Sequence, residues 1–333
     1  MSRNNPHSAD DRFQELIALL ADGRFHGGDE LGDSLGVSRA AVWKQIQKLQ
    51  ESGLDIQSVR GKGYRLAHPM EWLDTEQVCS QMDDGARALL SQLDVRSQVT
   101  STNDVALQRA ATGVGSGYVC LAEQQTAGRG RRGRHWVSPF GSNLYLSIVW
   151  EFHQGAAQLE GLSLATGVAV AKALSRLGVS AVGLKWPNDL LVGGAKLSGI
   201  LLEMTGDPSG RCQVVLGVGV NHRLPMAAAH GIDQSWAKLD EFRPGIGRNL
   251  LASVVISELL LMLERFAANG FAAFRDEWQA LDVYADKEVV IKTGASDIFG
   301  IARGVDSSGG LRLEISGAIQ IIKGGEMSLR AVE

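Results

Sequence analysis

The chain is predicted to be an α+β protein: an N-terminal winged helix-turn-helix, a central mixed sheet with helices, and a small all-β domain at the C-terminal end. Three observations predict it. A helix-turn-helix pattern with a basic hairpin fills the first 66 residues. From about residue 70, strand candidates follow one another without regular βαβ alternation. After residue 283, short strand candidates alternate with Gly or Asp turns.

In the first segment Phe13, Leu16, Ile17 and Leu20 fall at i, i+3, i+4 and i+7, one face of a helix that Gly23 ends. Leu31 and Leu35 mark a short second helix, broken by Gly36. Ser38 is placed to cap a third helix whose inward face is Val42, Ile46 and Leu49. The helix-turn-helix therefore spans about residues 28–47. Its outer face offers Ser38, Arg39, Trp43, Lys44, Gln47 and Lys48. The following "LDIQSVRGKGYRL" reads as a wing carrying Arg60 and Lys62. Charge separates sharply here. Residues 1–38 carry three arginines against seven acids, a net −4, whereas residues 39–65 carry six basic residues against two acids, a net +4. The recognition helix and wing share the positive half, as phosphate contact requires. A three-helix bundle with a solvated basic face, or a winged helix used for protein contact, is the competing reading. Pro69 disfavours helix at His68, which places a boundary near residue 68.

Composition bounds the rest. A chain of 333 residues, 44% hydrophobic, can fill two or three cores. Its net charge of −4 and pI near 6.0 argue against polyanion binding over the whole surface but allow a local basic patch. Cys79, Cys120 and Cys212 are odd in number and form no C-x-x-C pair, so neither a disulfide framework nor a zinc ribbon is expected. The start, "MSRNNPHSAD", has no apolar signal core, and no later run reaches the roughly 18 apolar residues of a membrane span. A cytoplasmic protein is expected.

In the central part, "SGYVCLAEQQ", "SNLYLSIVW", "AVGLKWPNDLLV", "AKLSGILLEM" and "CQVVLGVGVN" read as strands, with helices near 159–177 and 248–268 on one side of the sheet. Between them lies "GRGRRGR", residues 128–134. It matches the G-x-G-x-x-G dinucleotide expression, but that fingerprint needs its last glycine to open a helix. Pro139 and Gly141 follow too soon. A nucleic-acid-binding segment would be redundant with the helix-turn-helix. An anion-binding loop fits better, with glycine N–H groups and arginines meeting phosphate or carboxylate.

The order "STND" (101–104), "EQQTAGRGRRGRHW" (123–136), "KWPND" (185–189), "KLSGIL" (196–201) and "GVGVN" (217–221), behind a winged helix, resembles the biotin–protein ligases, specifically the bifunctional bacterial type that also represses the biotin operon. The resemblance covers nearly the whole chain. It implies a class II synthetase-like catalytic fold and a C-terminal SH3-like domain, with boundaries at 1–68, 69–282 and 283–333. It implies a reaction joining biotin and ATP, with Mg²⁺, to biotinyl-5′-AMP and pyrophosphate, then transfer of biotin to one lysine of the biotin carboxyl carrier protein of acetyl-CoA carboxylase. Two anions meet in the first step, so positioned cations are needed.

By the same resemblance, Lys185 is the central cation, and Arg129, Gly130 and Arg131 are ligand positions, with Arg131 catalytic beside Lys185. Arg132 and Arg134 read as solvated. Ser101, Thr102, Asn103 and Gln125 are expected at the ureido ring of biotin, whose two N–H groups and one carbonyl suit hydroxyl and amide partners. Ser101 and Thr102 also suit a helix start. Gly217 and Gly219 permit close approach to the bicyclic ring, Asn221 suits the nucleotide end, and Trp136 offers an apolar cover. Residues 222–235 read as a small polar loop, mobile without adenylate. No metal cage of protein ligands is read, since His222 and His230 lack a third ligand at useful spacing. Biotinyl-5′-AMP is expected to be the corepressor, promoting a homodimer on operator DNA, with no membrane partner. A non-catalytic biotin-sensing repressor and a ligase for another acid, such as lipoate, are the alternatives.

Overall fold

The computed structural model describes residues 9–153, 155–207, 210–293, 297–323 and 327–331. The polar start read above, through residue 8, lies outside them. Two units result, the first being Met1–Trp72 with Pro139–Ser142 and Leu224–Gly231, the second everything else.

In the first unit, α1 (Ala9–Leu20), α2 (Gly28–Leu35) and α3 (Arg39–Glu51) are followed by the antiparallel pair β1 (Ile56–Val59) and β2 (Gly63–Leu66). Gly36 ends α2 in the left-handed region at φ 64°, and a Cβ on Gly32 would lie 2.7 Å from the Val37 carbonyl oxygen. Both glycines let the two helices meet closely. Ser38 Oγ accepts from the Ala41 N–H at 3.3 Å, the cap read from sequence. Val42, Ile46 and Leu49 are fully buried beside Leu16, Ile17 and Leu20. Phe140 completes this core, edge-on to Phe13 and Trp72 at 6.1 and 5.7 Å. The unit thus runs beyond the expected boundary at 68 and takes in two segments remote in sequence.

The second unit contains α4 (Thr75–Ser80), α5 (Asp84–Leu89), β3 (Gln92–Val99), α6 (Thr102–Ala111), β4 (Tyr118–Gln125), β5 (Leu144–Phe152), α7 (Leu162–Arg176), β6 (Val182–Lys185), β7 (Asp189–Val192), β8 (Ala195–Gly206) and β9 (Cys212–Val220). The short α8 (Leu239–Phe242), the long α9 (Arg248–Asn269) and α10 (Arg275–Leu281) follow. Seven strands form one sheet in the order β3-β4-β5-β9-β8-β7-β6, parallel only between β3 and β4. The mixed sheet is as expected, but its helices are not confined to one side. On β4, Val119 and Leu121 join the core shared with α7 and α9, while Tyr118 and Cys120 pack with Ala106 and Ala110 of α6. Period-two alternation sends these pairs to opposite faces, and both faces are apolar because both are covered.

The expected strand 181–192 is two strands, β6 and β7, turning at Trp186-Pro187-Asn188. Proline lacks the N–H that a continuous ladder needs, so the chain turns there. The C-terminal strands β10 (Glu288–Lys292), β11 (Asp297–Val305), β12 (Leu311–Ile315), β13 (Ala318–Ile322) and β14 (Ser328–Ala331) form an antiparallel sheet in the order β13-β12-β11-β10-β14. Its buried Val289, Ile291, Leu311 and Leu313 belong to the same core cluster as the central sheet, and Trp186 Nε1 donates to the Gly309 carbonyl at 3.1 Å. The strands β10, β11, β12 and β14 therefore share one core with the central sheet.

Candidate functional site

Glycines on β9 open the site. A Cβ on Gly217 would collide with Asn103 Oδ1, and one on Gly219 would lie 2.5 Å from the Trp136 ring. Across the β8 register, Gly199 faces Gly219, and its missing Cβ leaves room for Trp136 and Lys196. Small residues on paired strands thus let Asn103 and the indole sit directly on the sheet.

The start of α6 supplies the polar rim. Ser101 Oγ accepts from the Asn103 N–H at 3.2 Å, the capping role anticipated for it. The Thr102 N–H and hydroxyl reach Gln125 Oε1 at 2.9 and 3.2 Å, and Gln125 Nε2 donates to Ser138 Oγ at 3.0 Å. Ser147 Oγ lies 2.7 Å from Thr102 Oγ1 and 2.6 Å from Asn103 Oδ1. Asn103 Nδ2 donates to Glu203 at 2.6 Å. Sequence reasoning singled out Ser101, Thr102, Asn103 and Gln125, which the fold brings together, but missed Ser138, Ser147 and Glu203. The available signal was a lone polar residue inside apolar strand runs, "LYLSIVW" and "ILLEM".

The loop 128–136 closes on itself. Gly130 N–H donates to Arg134 O at 2.7 Å, Trp136 N–H to Gly128 O at 2.8 Å, and one short 3₁₀ turn covers Arg131–Gly133. No helix opens after Gly133, so the dinucleotide expression is matched without its structural context. Arg129 pairs with Asp104 at 2.6 Å and with Glu203 at 3.2 Å. Arg131 Nη1 donates to Asn188 Oδ1 at 3.1 Å, joining the loop to "KWPND". Arg132 and Arg134 are exposed.

Cations gather around Asp189. Lys196 Nζ lies 2.6 Å from its carboxylate and 5.5 Å from the centre of the Trp136 ring. Lys185 is half-buried; desolvation lowers its pKa, Asp189 opposes the shift, and Lys196, Arg330 and Arg134 add to it. Desolvation also lowers the pKa of Arg131. Lys185, Lys196 and Arg131 are thus within electrostatic range of Asp189, with Arg134 and Arg330 acting on Lys185, an arrangement that suits a polyanion. Lys196 lies within a motif read from sequence but was given no role there. Trp136 Nε1–H is buried without a hydrogen-bond partner among the described residues. That buried N–H is a donor that a ligand at this site can satisfy.

Asn221 is buried, and its amide donates to Lys196 O at 3.4 Å and Ala237 O at 3.1 Å, so its side chain braces the end of β9. His222 is buried too, with Nε2 2.8 Å from Ile246 O, and burial drives its pKa down to about 4. His230 lies in the first unit, and no metal-binding cluster occurs among the described residues. Within Leu224–Gly231, a 3₁₀ turn covers Met226–Gly231.

Buried His222 makes the stability of the fold depend on pH. Its folded pKa lies below the ordinary value of 6.5, so the unfolded chain binds more protons between the two. This contribution is fully present above about pH 6.5 and is lost as pH falls towards about 4, at up to about 1.4 kcal/mol per pH unit. Asp282 opposes it, since burial raises its pKa to about 6. Urea unfolding of wild type and His222→Gln over pH 4–7 should therefore show the wild type losing its advantage as pH falls. A pH-independent difference would contradict this.

On the first unit, Ser38, Arg39, Trp43, Lys44, Gln47, Lys48, Arg60 and Lys62 are all exposed, Trp43 at 52%. Lys62 and Arg65 lie over the Phe25 ring at 5.9 and 4.6 Å, which steadies the wing.

Family models match three parts of the chain: the HTH domain at residues 12–65, the biotin/lipoate A/B protein ligase family at 95–221, and the biotin protein ligase C terminal domain at 285–330. The chain is 44% identical over 319 residues to the "Bifunctional ligase/repressor BirA" of Escherichia coli (strain K12), covering 96% of this chain and 97% of that one. The chain belongs to the biotin protein ligase family. Its likeness to the bifunctional ligase/repressors extends through the DNA-binding part, since the Salmonella typhimurium protein of that name is 45% identical over 96% of this chain. Among solved structures, the biotin protein ligase from Aquifex aeolicus in complex with biotin and ATP aligns with TM-score 0.62 at 27% identity, covering 73% of this chain and all of that one. Both the α+β architecture and the ligase/repressor reading stand on these matches.

Proposed function

We propose that the chain activates biotin with ATP, passes it to a lysine of the biotin carboxyl carrier protein of acetyl-CoA carboxylase, and represses biotin-synthesis genes with biotinyl-5′-AMP as corepressor. The observation that carries this reading is the link from Arg131 to Asn188, which joins the arginine loop to Asp189 and Lys196, the lysine beside Gly199 and Trp136. Residues 1–68 bind operator DNA, 69–282 perform the chemistry, and 283–333 support it.

Ser101, Thr102, Asn103 and Gln125 meet the ureido ring next to Gly217 and Gly219, and Trp136, which rests against Gly219, borders the ligand. Lys196, next to the indole and Gly199, holds the biotin carboxylate, while Lys185 and Arg131 hold the phosphates. Carboxylate oxygen attacks the α-phosphorus, its bond to the bridging oxygen breaks, and pyrophosphate leaves. The carboxylate is already the nucleophile, so no general base is needed; the cations lower the repulsion between two anions. Lys185 and Arg131 would hold the phosphates together with any Mg²⁺ bound to ATP, which would supply further screening of their charge. In the second step, the neutral carrier amine attacks the biotinyl carbonyl, the bond from that carbon to the phosphate oxygen breaks, AMP leaves, and the amine's proton passes to solvent as the amide forms. Arg129, Gly130 and Asn221 hold the loop and strand ends that enclose the adenylate. Its binding favours a homodimer that presents two α3 helices to a two-fold operator, because only differential affinity for the dimer-competent state can shift that equilibrium.

Incubation with biotin, ATP, Mg²⁺ and a carrier domain should release pyrophosphate and label the carrier. Absence of both would leave the sensor reading in its place, and labelling only with lipoate would change the substrate. Two variants probe the site. Arg131→Gly should speed biotinyl-adenylate dissociation by about tenfold, the loss of one charge-assisted contact, and an unchanged release rate would remove Arg131 from the ligand set. Gly217→Ala should raise the biotin KM by roughly 10- to 100-fold through overpacking against Asn103. A KM equal to wild type would mean that biotin binds elsewhere.

A further inference from the structure

We propose that Glu203 is a positioning residue of this site: one carboxylate that fixes both the amide orientation of Asn103 and the guanidinium of Arg129. The inference rests on the ligase reading above and adds a residue that the sequence motifs do not single out.

Glu203 projects from β8, with its side chain 29% exposed. Asn103 Nδ2 donates to its Oε2 at 2.6 Å, and Arg129 Nη2 donates to Oε1 and Oε2 at 3.3 and 3.2 Å. An ionised carboxylate only accepts hydrogen bonds. It therefore admits the NH₂ end of the Asn103 amide and refuses the carbonyl end, whose lone pairs would face its charge. The carbonyl end is left towards Ser147 Oγ, 2.6 Å away, in the space that the missing Cβ of Gly217 provides. The acceptor oxygen on β8 thus decides which end of Asn103 faces each neighbour, and with it the donor and acceptor pattern offered to a ureido group.

The same carboxylate restrains the loop. Arg129 is held from two sides, by Asp104 on α6 at 2.6 Å and by Glu203 on β8. Burial works against the charge of Arg129, and these two acids more than offset it, raising its pKa. Two elements of the rigid scaffold therefore grip the first arginine of the loop whose next arginine, Arg131, reaches Asn188. A loop fixed at one arginine loses less entropy when the second closes on the adenylate.

The two roles separate by substitution, because a glutamine at 203 can still accept from Asn103 through its carbonyl but carries no charge for Arg129. In the full-length protein, Glu203→Gln should keep the biotin KM near wild type while biotinyl-adenylate dissociates about tenfold faster. Glu203→Ala should do both, raising the biotin KM by about tenfold or more with kcat for pyrophosphate release retained. A merely structural role would lower kcat and thermal stability together and would not split KM from kcat. Should Glu203→Ala fail to fold, the adenylate dissociation rate of Glu203→Gln decides alone. Wild-type rates in Glu203→Gln, or equal effects of both variants on the biotin KM, would overturn the proposal. If wild type itself releases no biotin-dependent pyrophosphate, the ligase reading fails instead.

Discussion

Replacing Lys196 by Gln is expected to slow biotinyl-adenylate formation by about 10²- to 10³-fold, the usual effect of removing one preorganised charge from a transition state. The substitution keeps most of the side-chain length and removes the charge that lies 2.6 Å from Asp189 and 5.5 Å from the Trp136 ring centre. Asp189 retains Lys185 within electrostatic range, so the fold should survive with little change in Tm. The loss should fall on kcat, since the repulsion between carboxylate and α-phosphate is greatest as they bond. Single-turnover pyrophosphate release measures it. A rate near wild type would transfer the central role to Lys185, the lysine that the family motif points to. Lys185→Gln should instead weaken the hold on ATP more than on biotin.

The second large effect concerns DNA. Arg39, Lys44 and Lys48 are exposed on α3, whose opposite face, Val42, Ile46 and Leu49, is fully buried. Replacing the three by Ala should leave the helix intact, since Ala favours helix and the Ser38 cap remains. Operator affinity should drop by roughly 10³-fold or more, and the slope of log Kd against log salt should flatten by about three units, one for each lost phosphate contact. Pyrophosphate release should be unchanged, because none of the three lies in the ligase site. A triple variant that still shifts operator with the wild-type salt slope would show that α3 is not the DNA-reading element. Operator can be obtained by selection from randomised duplexes.

Local periodicity made the first unit legible. The i, i+3, i+4 pattern of α1, the Gly36 break and the Ser38 cap are all short-range, and each appears in the structure where the sequence places it. The charge reversal near residue 39 was likewise a local count. By contrast, Phe140 joins the core of that unit from a segment some 70 residues beyond its expected end, which no short-range pattern signals. The edge strand β3 was missed because "QLDVRSQV" is polar and pairs on one side only, with β4. The four-residue β14 was too short to carry a pattern.

The site divides in the same way. Ser101, Thr102, Asn103, Gln125 and the two arginines of the loop sit in motifs that can be read in order along the chain. Ser147 and Glu203 take their places through strand pairing: Ser147 faces Gly217 across β5 and β9, and Glu203 faces Val215 across β8 and β9. Their neighbours are set by register, which sequence fixes only through the whole sheet. In "KWPND" the turn-forming Pro187-Asn188-Asp189 is legible beside Lys185, whereas the link that this turn makes from Asn188 to Arg131 is set by the fold.

We propose that one site next to the β9 glycines receives biotin and its adenylate, with the phosphate near Asp189 and its cations. A crystal structure of the protein with biotinyl-5′-AMP tests it directly. The expected result places the ureido group within hydrogen-bond reach of Ser101, Thr102, Asn103 or Gln125, the bicyclic ring against Gly217 and Gly219, and the phosphate against Arg131, Lys185 or Lys196. A ligand bound away from the β9 glycines, or a phosphate directed away from all three cations, would contradict the account.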